Sequence, residues 1–200
     1  TAMAVVPQML ELLLTGIEDE AERRGSLDRW RAAHTVAPHL PRAARRALFR
    51  SVHRELGGAL ELVVSGGAAL DPEVAAAWER LGVTVLEGYG ATECAPSIAS
   101  NTRAARRAGS VGRPVPGVQV RIGDQGEILV RGANVSPGYL HRPDLTERAF
   151  FDSADGRAYR TGDWGRERGG LFFFEGRMDS QVKVNGFRIE LGDLEANLRA

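Results

Sequence analysis

An α/β fold is expected from three features of the sequence. Residues 60 to 86 hold two short apolar runs separated by an amphipathic helical segment, the order of a β-α-β crossover. Residues 1 to 59 carry apolar side chains at helical spacing. Residues beyond 118 carry short apolar runs closed by glycine turns, the pattern of a β-rich part. The expected architecture is a parallel sheet with helices, joined to a small β-rich subdomain.

The first helix is placed by Val6, Leu10, Leu13 or Leu14, Ile17 and Ala21, with Pro7 near its start and Glu18 to Arg24 on the outer turns. A second is expected from Pro41 to about Leu56, with Ala44, Leu48, Val52 and Leu56 on one face and Arg42, Arg45, Arg46, Arg50 and Arg54 on the others. Those arginines read first as a solvated face, with docking to an acidic partner or an anionic membrane surface as the alternative. Leu60 to Val64 reads as a strand ending in Ser65-Gly66-Gly67. Asp71-Pro72 caps and opens a helix to about Leu81, and Val83 to Leu86 is the next strand. In a parallel sheet the loops at the carboxyl ends of the strands form the ligand crevice, so the glycine-rich turns Ser65 to Ala68 and Glu87 to Glu93 are expected to line it. A basic loop follows, with Arg103, Arg106 and Arg107. The turn Gly123-Asp124-Gln125-Gly126 then marks a hairpin within Val118 to Val130. Pro137-Gly138 and Arg142-Pro143-Asp144 mark turns, Leu171 to Phe174 and Gln181 to Val184 have strand character, and Gly192-Asp193 opens a helix.

Composition narrows the function. The 26 basic and 26 acidic side chains give a formal net charge of zero, which provides no overall field for a polyanion, and no nucleic-acid partner is expected. No apolar run approaches the roughly 20 residues of a spanning helix, and the first residues lack the charged-then-apolar order of a signal peptide. A cytoplasmic protein with no transmembrane segment is expected. Cys94 is the single cysteine, so no internal disulfide forms, and His34, His39, His53 and His141 show no metal-ligand spacing. Lys183 is the single lysine. Any step that needs a lysine must use that one or one supplied from outside these residues.

Four segments carry the chemistry. They are Gly88-Tyr89-Gly90-Ala91-Thr92-Glu93; Gly126-Glu127-Ile128-Leu129-Val130-Arg131-Gly132 running on to Gly138-Tyr139; Tyr159-Arg160-Thr161-Gly162-Asp163; and Gly176-Arg177-Met178-Asp179 through Lys183, Gly186 and Arg188 to Glu190. In this order and spacing they resemble the adenylate-forming superfamily, which contains acyl-CoA synthetases, the amino-acid adenylation domains of peptide synthetases and beetle luciferases. The resemblance runs from about Leu60 to the end, and more weakly over the Val5-Val6-Pro7 helix, which looks like that of long-chain acyl-CoA synthetases. It implies that residues 1–178 form the C-terminal part of the large AMP-binding domain. Residues 179–200 would form the hinge and the truncated start of the small α+β C-terminal domain.

Joining a carboxylate to AMP requires binding a nucleotide, neutralising phosphate charge and aligning two anions. The resemblance implies that Gly67 and Ala68 lie against adenine, that Gly88 lets backbone approach the nucleotide, and that Tyr89 offers adenine a flat face. It implies that Thr92 gives a hydroxyl to the α-phosphate, that Glu93 holds Mg²⁺, and that Asp163 accepts hydrogen bonds from two ribose hydroxyls. Arg177 and Arg188 would contact the ribose or phosphate side, Arg188 within the catalytic set. Asp179 would be the hinge about which the small domain turns, and Gly186 would border the pantetheine channel. Taken alone, the first hexapeptide reads equally as a strand-to-helix turn with a capping Thr and Glu, and Thr161-Gly162-Asp163 as a plain turn.

Two departures matter. Nothing in residues 1 to 59 resembles the family's Ser/Thr/Gly-rich phosphate loop, and the family's adenylation lysine lies beyond the hinge region, whereas Lys183 belongs to the hinge motif. A middle section that is inactive alone is therefore expected. The complete protein is expected to be an ATP-dependent carboxylate ligase, an acid-thiol ligase of the acyl-CoA synthetase type acting on a fatty acid, with ATP, Mg²⁺ and CoA. The first alternative is an amino-acid or aryl-acid adenylation domain that loads the phosphopantetheine of an acyl or peptidyl carrier protein. Residues 186 to 195 and Gly138-Tyr139-Leu140 look like that branch. The second alternative is a non-catalytic nucleotide-binding remnant.

Overall fold

The computed structural model describes residues 1–153 and 156–178, together with the backbone of the strands Gln181–Val184 and Phe187–Glu190. It divides into two compact units, Thr1–Leu86 and Glu87–Ala200, each with its own apolar cluster.

The first unit contains β1 (Ala2–Val5), α1 (Pro7–Arg23), α2 (Leu27–Val36), α3 (Arg42–Leu48), α4 (Arg50–Glu55), β2 (Leu62–Ser65), α5 (Pro72–Arg80) and the start of β3 (Thr84–Gly90). Strand β1 pairs in parallel with β2, Ala2 opposite Leu62 through Val5 opposite Ser65, and β3 follows β2 in the strand order. The expected face of α1 is the buried one: Leu10 and Leu14 are buried, while Leu13, Ile17 and Ala21 pack against the same cluster as Trp78, Val63 and Val83. The start of α5 follows its sequence signal, with Pro72 at its first position and Asp71 accepting a hydrogen bond from the Glu73 amide at 2.7 Å.

Three features of this unit differ from the sequence reading. Strand β1 was not anticipated, and helix α2 lies in the stretch read as helical but has no boundaries of its own in the sequence, because it buries only Trp30, too little for an apolar stripe to stand out. The continuous helix expected from Pro41 to Leu56 is two helices. Phe49 breaks it (φ −101°, ψ 33°) and turns its ring into the core, 5.3 Å from the Trp30 ring and 5.1 Å from that of His34. Burial thereby shifts to Phe49, Val52 and His53, while Leu48 is 45% exposed. Nor are the arginines of α3 a solvated face. Arg42 donates to the Gly82 and Glu61 carbonyls, Arg45 to those of Leu40, Glu79 and Pro38, and Arg46 to those of Leu60 and Gly58. The planar guanidinium fork suits such multiple capture of carbonyls, which a single ammonium could not reproduce.

Acid is expected to loosen this unit. His53 is buried, with Nε2 2.8 Å from the Leu81 carbonyl. Burial pushes its pKa below the ordinary value despite that carbonyl, and burial likewise lowers His34. Both stay neutral in the folded state at a pH where the unfolded chain has begun to bind protons. Stability is therefore full above the unfolded histidine pKa of about 6.5 and falls as pH drops below it. Hydrogen-exchange protection of α4 should decline between pH 7.5 and 5.5, and His53→Gln should flatten that decline; an identical decline in the variant would assign it to other groups.

The second unit takes the end of β3, then β4 (Ser97–Ser100), β5 (Arg113–Pro114), β6 (Val118–Ile122), β7 (Glu127–Gly132), α6 (Pro143–Ala149), β8 (Phe150–Ser153), β9 (Gly156–Arg168), β10 (Leu171–Arg177), β11 (Gln181–Val184) and β12 (Phe187–Glu190). An antiparallel sheet runs in the order β10-β9-β7-β6, with β8 also on β9. The β6–β7 hairpin is the expected one. The β11–β12 pair sets Lys183 opposite Arg188. Two stretches read as turns are strands: Glu87 to Gly90 continues β3, with Tyr89 opposite Ala99, and Thr161-Gly162-Asp163 lies within β9. The Arg142-Pro143-Asp144 turn opens α6 instead of standing alone. Ile98, Ile128, Val130, Phe150, Tyr159 and Phe172 form the core. The helix expected at Gly192-Asp193 lies outside the described residues.

Parallel pairing in the first unit and antiparallel sheets in the second give the mixed α/β architecture expected. Among the described residues no helix is long and apolar enough to cross a membrane.

Candidate functional site

Asp163 is held by the sheet itself. It sits on β9 directly opposite Arg177 on β10, 6% exposed, and its Oδ1 accepts from the Arg177 guanidinium at 2.8 Å while its Oδ2 accepts from the Tyr89 hydroxyl. The same Arg177 nitrogen donates to the Thr161 carbonyl at 2.8 Å. The Thr161 hydroxyl donates to the Ile128 carbonyl at 2.8 Å, and the Asp163 amide donates to the Thr161 hydroxyl oxygen at 3.0 Å. A carboxylate offers about four lone-pair sites, so the two side-chain donors leave it capacity for a ligand's hydroxyls. Tyr89 lies beside Phe174, ring centroids 6.0 Å apart. Burial first, and then the Asp163 charge, push its phenol well above the ordinary range, so it remains a donor.

Glu93 stands on a short 3-10 turn, Thr92–Cys94, that closes with the Ala91 amide on the Pro96 carbonyl at 2.9 Å. It is 7% exposed, and its Oε1 accepts from the Tyr139 hydroxyl at 2.6 Å. The Ser136 amide donates to the Glu93 carbonyl at 2.8 Å, and Asn134 Nδ2 donates to the Cys94 and Ser97 carbonyls at 2.8 and 2.9 Å. The loop after β7 is thereby pinned onto the turn. Thr92 is exposed, whereas Cys94 is fully buried, and burial together with the Glu93 charge pushes its thiol up to about 12. That thiol is structural and unreactive. Among the described residues no cluster of three or more acidic, histidine or cysteine side chains could hold a metal ion. Glu93 is still a fitting single ligand for a hard cation that takes its other oxygens from phosphates and water, the usual situation for Mg²⁺.

The structure brings Tyr89, Asp163 and Arg177 into one hydrogen-bonded group and sets Glu93 on Tyr139. Gly88 lies in β3 opposite Ser100. Gly67 and Ala68 belong to the first unit, in the turn after β2, where Gly67 has φ +88°, a conformation that favours glycine. Arg188 is on β12 with its side chain outside the described residues, and Asp179 and Gly186 also lie outside them. Sequence reasoning gave no role to Thr161 or Tyr139, although both stand inside segments it singled out. A cavity of about 260 Å³ lies in the first unit, lined by Trp30, Phe49 and Val52 among others, and includes none of the candidate residues.

Residues 1–140 match the family described as AMP-binding enzyme. The chain is 33% identical over 218 aligned positions to a long-chain-fatty-acid–CoA ligase of Mycobacterium bovis, an alignment that covers 100% of the chain and 36% of that protein. It is 52% identical over 77 residues to a D-alanine–D-alanyl carrier protein ligase of Listeria monocytogenes, covering 38% of the chain and 15% of that protein. The chain thus spans little more than a third of the length of the longer-aligned of these relatives, and much less of the other. Among solved structures, a malonyl-CoA ligase with methylmalonyl-CoA and AMP bound superposes with a TM-score of 0.68 at 30% identity, covering 99% of this chain and 38% of that one. A peptide-synthetase protein with adenylation and carrier domains gives 0.63 at 30% identity, covering 71% and 33%. Half of the expected motifs fall within the matched residues, and the fold is that of its structural relatives: the chain belongs to the AMP-binding enzyme family of adenylate-forming ligases.

Proposed function

We propose that the complete protein carrying this chain is an ATP-dependent carboxylate–CoA ligase acting on a fatty acid. Residues 1–178 would close its large domain, and residues 179–200 would begin the small one. The observation that carries the reading is the buried Asp163, fixed by Arg177 across the sheet and by Tyr89, with acceptor capacity for two neighbouring hydroxyls. In the reaction a substrate carboxylate oxygen attacks the α-phosphorus of ATP and pyrophosphate leaves; a thiol then attacks the acyl carbonyl and AMP leaves. Asp163 would hold the ribose, Arg177 would orient the Asp163 carboxylate on the ribose side, and Thr92 would donate to the α-phosphate. Gly88 and Tyr89 would lie along the nucleotide, with the Gly67-Ala68 turn against adenine. Glu93 would supply a carboxylate oxygen to Mg²⁺, which when bound neutralises phosphate charge. Arg188, Asp179 and Gly186 would serve the phosphate side, the domain rotation and the pantetheine channel.

A fatty-acid substrate is supported by the alignment to the M. bovis ligase over the full chain. A second reading, loading of a carrier protein's phosphopantetheine with an amino or aryl acid, is supported by the higher identity to D-alanine–D-alanyl carrier protein ligases over 77 residues. Carboxylate-dependent exchange of pyrophosphate into ATP by the complete protein, against fatty, aryl and amino acids, tests both. Fatty-acid exchange is expected. Exchange with only an amino or aryl acid would promote the carrier reading, and none from a folded protein would leave a non-catalytic nucleotide-binding module.

A further inference from the structure

Tyr139 is built to deliver a hydroxyl. Its amide donates to Thr146 Oγ1 at 2.9 Å, which ties it to α6. The preceding Gly138 (φ +142°) comes so near Thr146 that a Cβ there would lie 2.4 Å from the threonine methyl. Its ring meets Phe150 edge-on at 5.5 Å, and Phe150 lies 5.0 Å from Tyr159 on β9, the strand that carries Asp163. Backbone and ring are both fixed, so the hydroxyl reaches Glu93 Oε1 at 2.6 Å from a set direction. A fixed donor on this oxygen sets the rotation of the carboxylate, as partners behind metal ligands commonly do.

We infer that Tyr139 is a positioning residue for the metal-binding carboxylate of Glu93, coupling the loop after β7 to the cation. The inference rests on the proposed role of Glu93 toward Mg²⁺. It gives Tyr139, at the end of the second motif segment, a working part in the site.

The test uses the complete protein, Mn²⁺ as the probe cation, and a non-hydrolysable ATP analogue, with bound Mn²⁺ read by electron paramagnetic resonance. Tyr139→Phe keeps the ring on Phe150 and removes only the donor. It is expected to weaken Mn²⁺ binding in the presence of the analogue by about tenfold or more, while binding of the analogue in EDTA stays unchanged. In a Glu93→Gln background the same substitution should have no further effect, because both changes act on one interaction. Wild-type Mn²⁺ affinity in Tyr139→Phe, or equal weakening with and without metal, overturns the inference while leaving the proposed ligase intact. Unaltered Mn²⁺ binding in Glu93→Gln overturns the metal role of Glu93 itself, and the inference with it.

Discussion

Asp163→Asn in the complete protein is expected to lower kcat/KM for ATP by about 10²-fold or more in pyrophosphate exchange. The amide keeps the shape of the side chain but loses its charge, and one of its two acceptor oxygens becomes a donor. Hydrogen bonds to a charged group are worth about 1.5–3 kcal/mol each, so losing one or two to a ribose accounts for a change of this size. Asp163→Ala should do more than that. Arg177, with its side chain 20% exposed, would lose the carboxylate 2.8 Å away, and the Tyr89 hydroxyl would lose its acceptor. Removing one partner of a buried pair costs about 3–5 kcal/mol of stability, so the alanine variant is expected to lose both activity and folded protein, and the asparagine variant chiefly activity. Thermal denaturation run alongside the exchange assay separates the two, and near-normal exchange by a folded Asn variant would remove the ribose role.

The reason this pair was not legible as a pair lies in one residue of register. Asp163 and Arg177 were each singled out by motif, 14 positions apart, with nothing local to say that they meet. The hairpin that joins β9 to β10 is signalled by Gly169-Gly170, both with positive φ (64° and 75°), the usual chemistry of a two-residue turn. That turn sets Arg168 opposite Leu171 and Gly165 opposite Phe174. Continued without interruption, the same register would put Gly176 opposite Asp163 and turn Arg177 to the other face. Glu175 is the extra residue: the bulge between Phe174 and Gly176 brings Arg177 opposite Asp163. Outside the turn, Glu175 meets Arg166 at 2.5 Å.

Elsewhere legibility followed the length and regularity of the signal. Helix α1 repeats its apolar positions over four turns, and α5 opens with a proline and a capping aspartate, so both stand in the sequence. The break at Phe49 does not, because a continuous helical pattern also accommodates Phe49 until its ring is seen to belong to the same cluster as Trp30 and His34. The Tyr139–Glu93 contact joins residues 46 positions apart, through a loop whose path is set by the Asn134 and Ser136 hydrogen bonds and not by any periodicity.

Gly90→Ala is expected to be strongly damaging to the second unit. A Cβ at Gly90 would come 2.0 Å from the Pro96 carbonyl oxygen and 3.0 Å from its carbon. Both are backbone atoms, so no rotamer change relieves the contact. The Pro96 carbonyl also accepts from the Ala91 amide and so closes the turn that carries Glu93. The chain must therefore either open β3 from β4 or displace that turn, a strain of at least about 1–3 kcal/mol on the scale of overpacked cores. Gly16→Ala is the matching control, because nothing lies within 4 Å of its added Cβ in α1, where alanine should stabilise by about 0.5–1 kcal/mol. Room for a nucleotide is the alternative explanation of this glycine, and the two separate experimentally. If Pro96 sets the requirement, the amides of Ala91 and Asn101, the latter bonded to the Glu87 carbonyl at 2.9 Å, should lose hydrogen-exchange protection in Gly90→Ala even without nucleotide. Intact protection with lost ATP binding would instead return the glycine to the ligand, and the close packing of β3 against the 91–96 turn would be incidental to the motif.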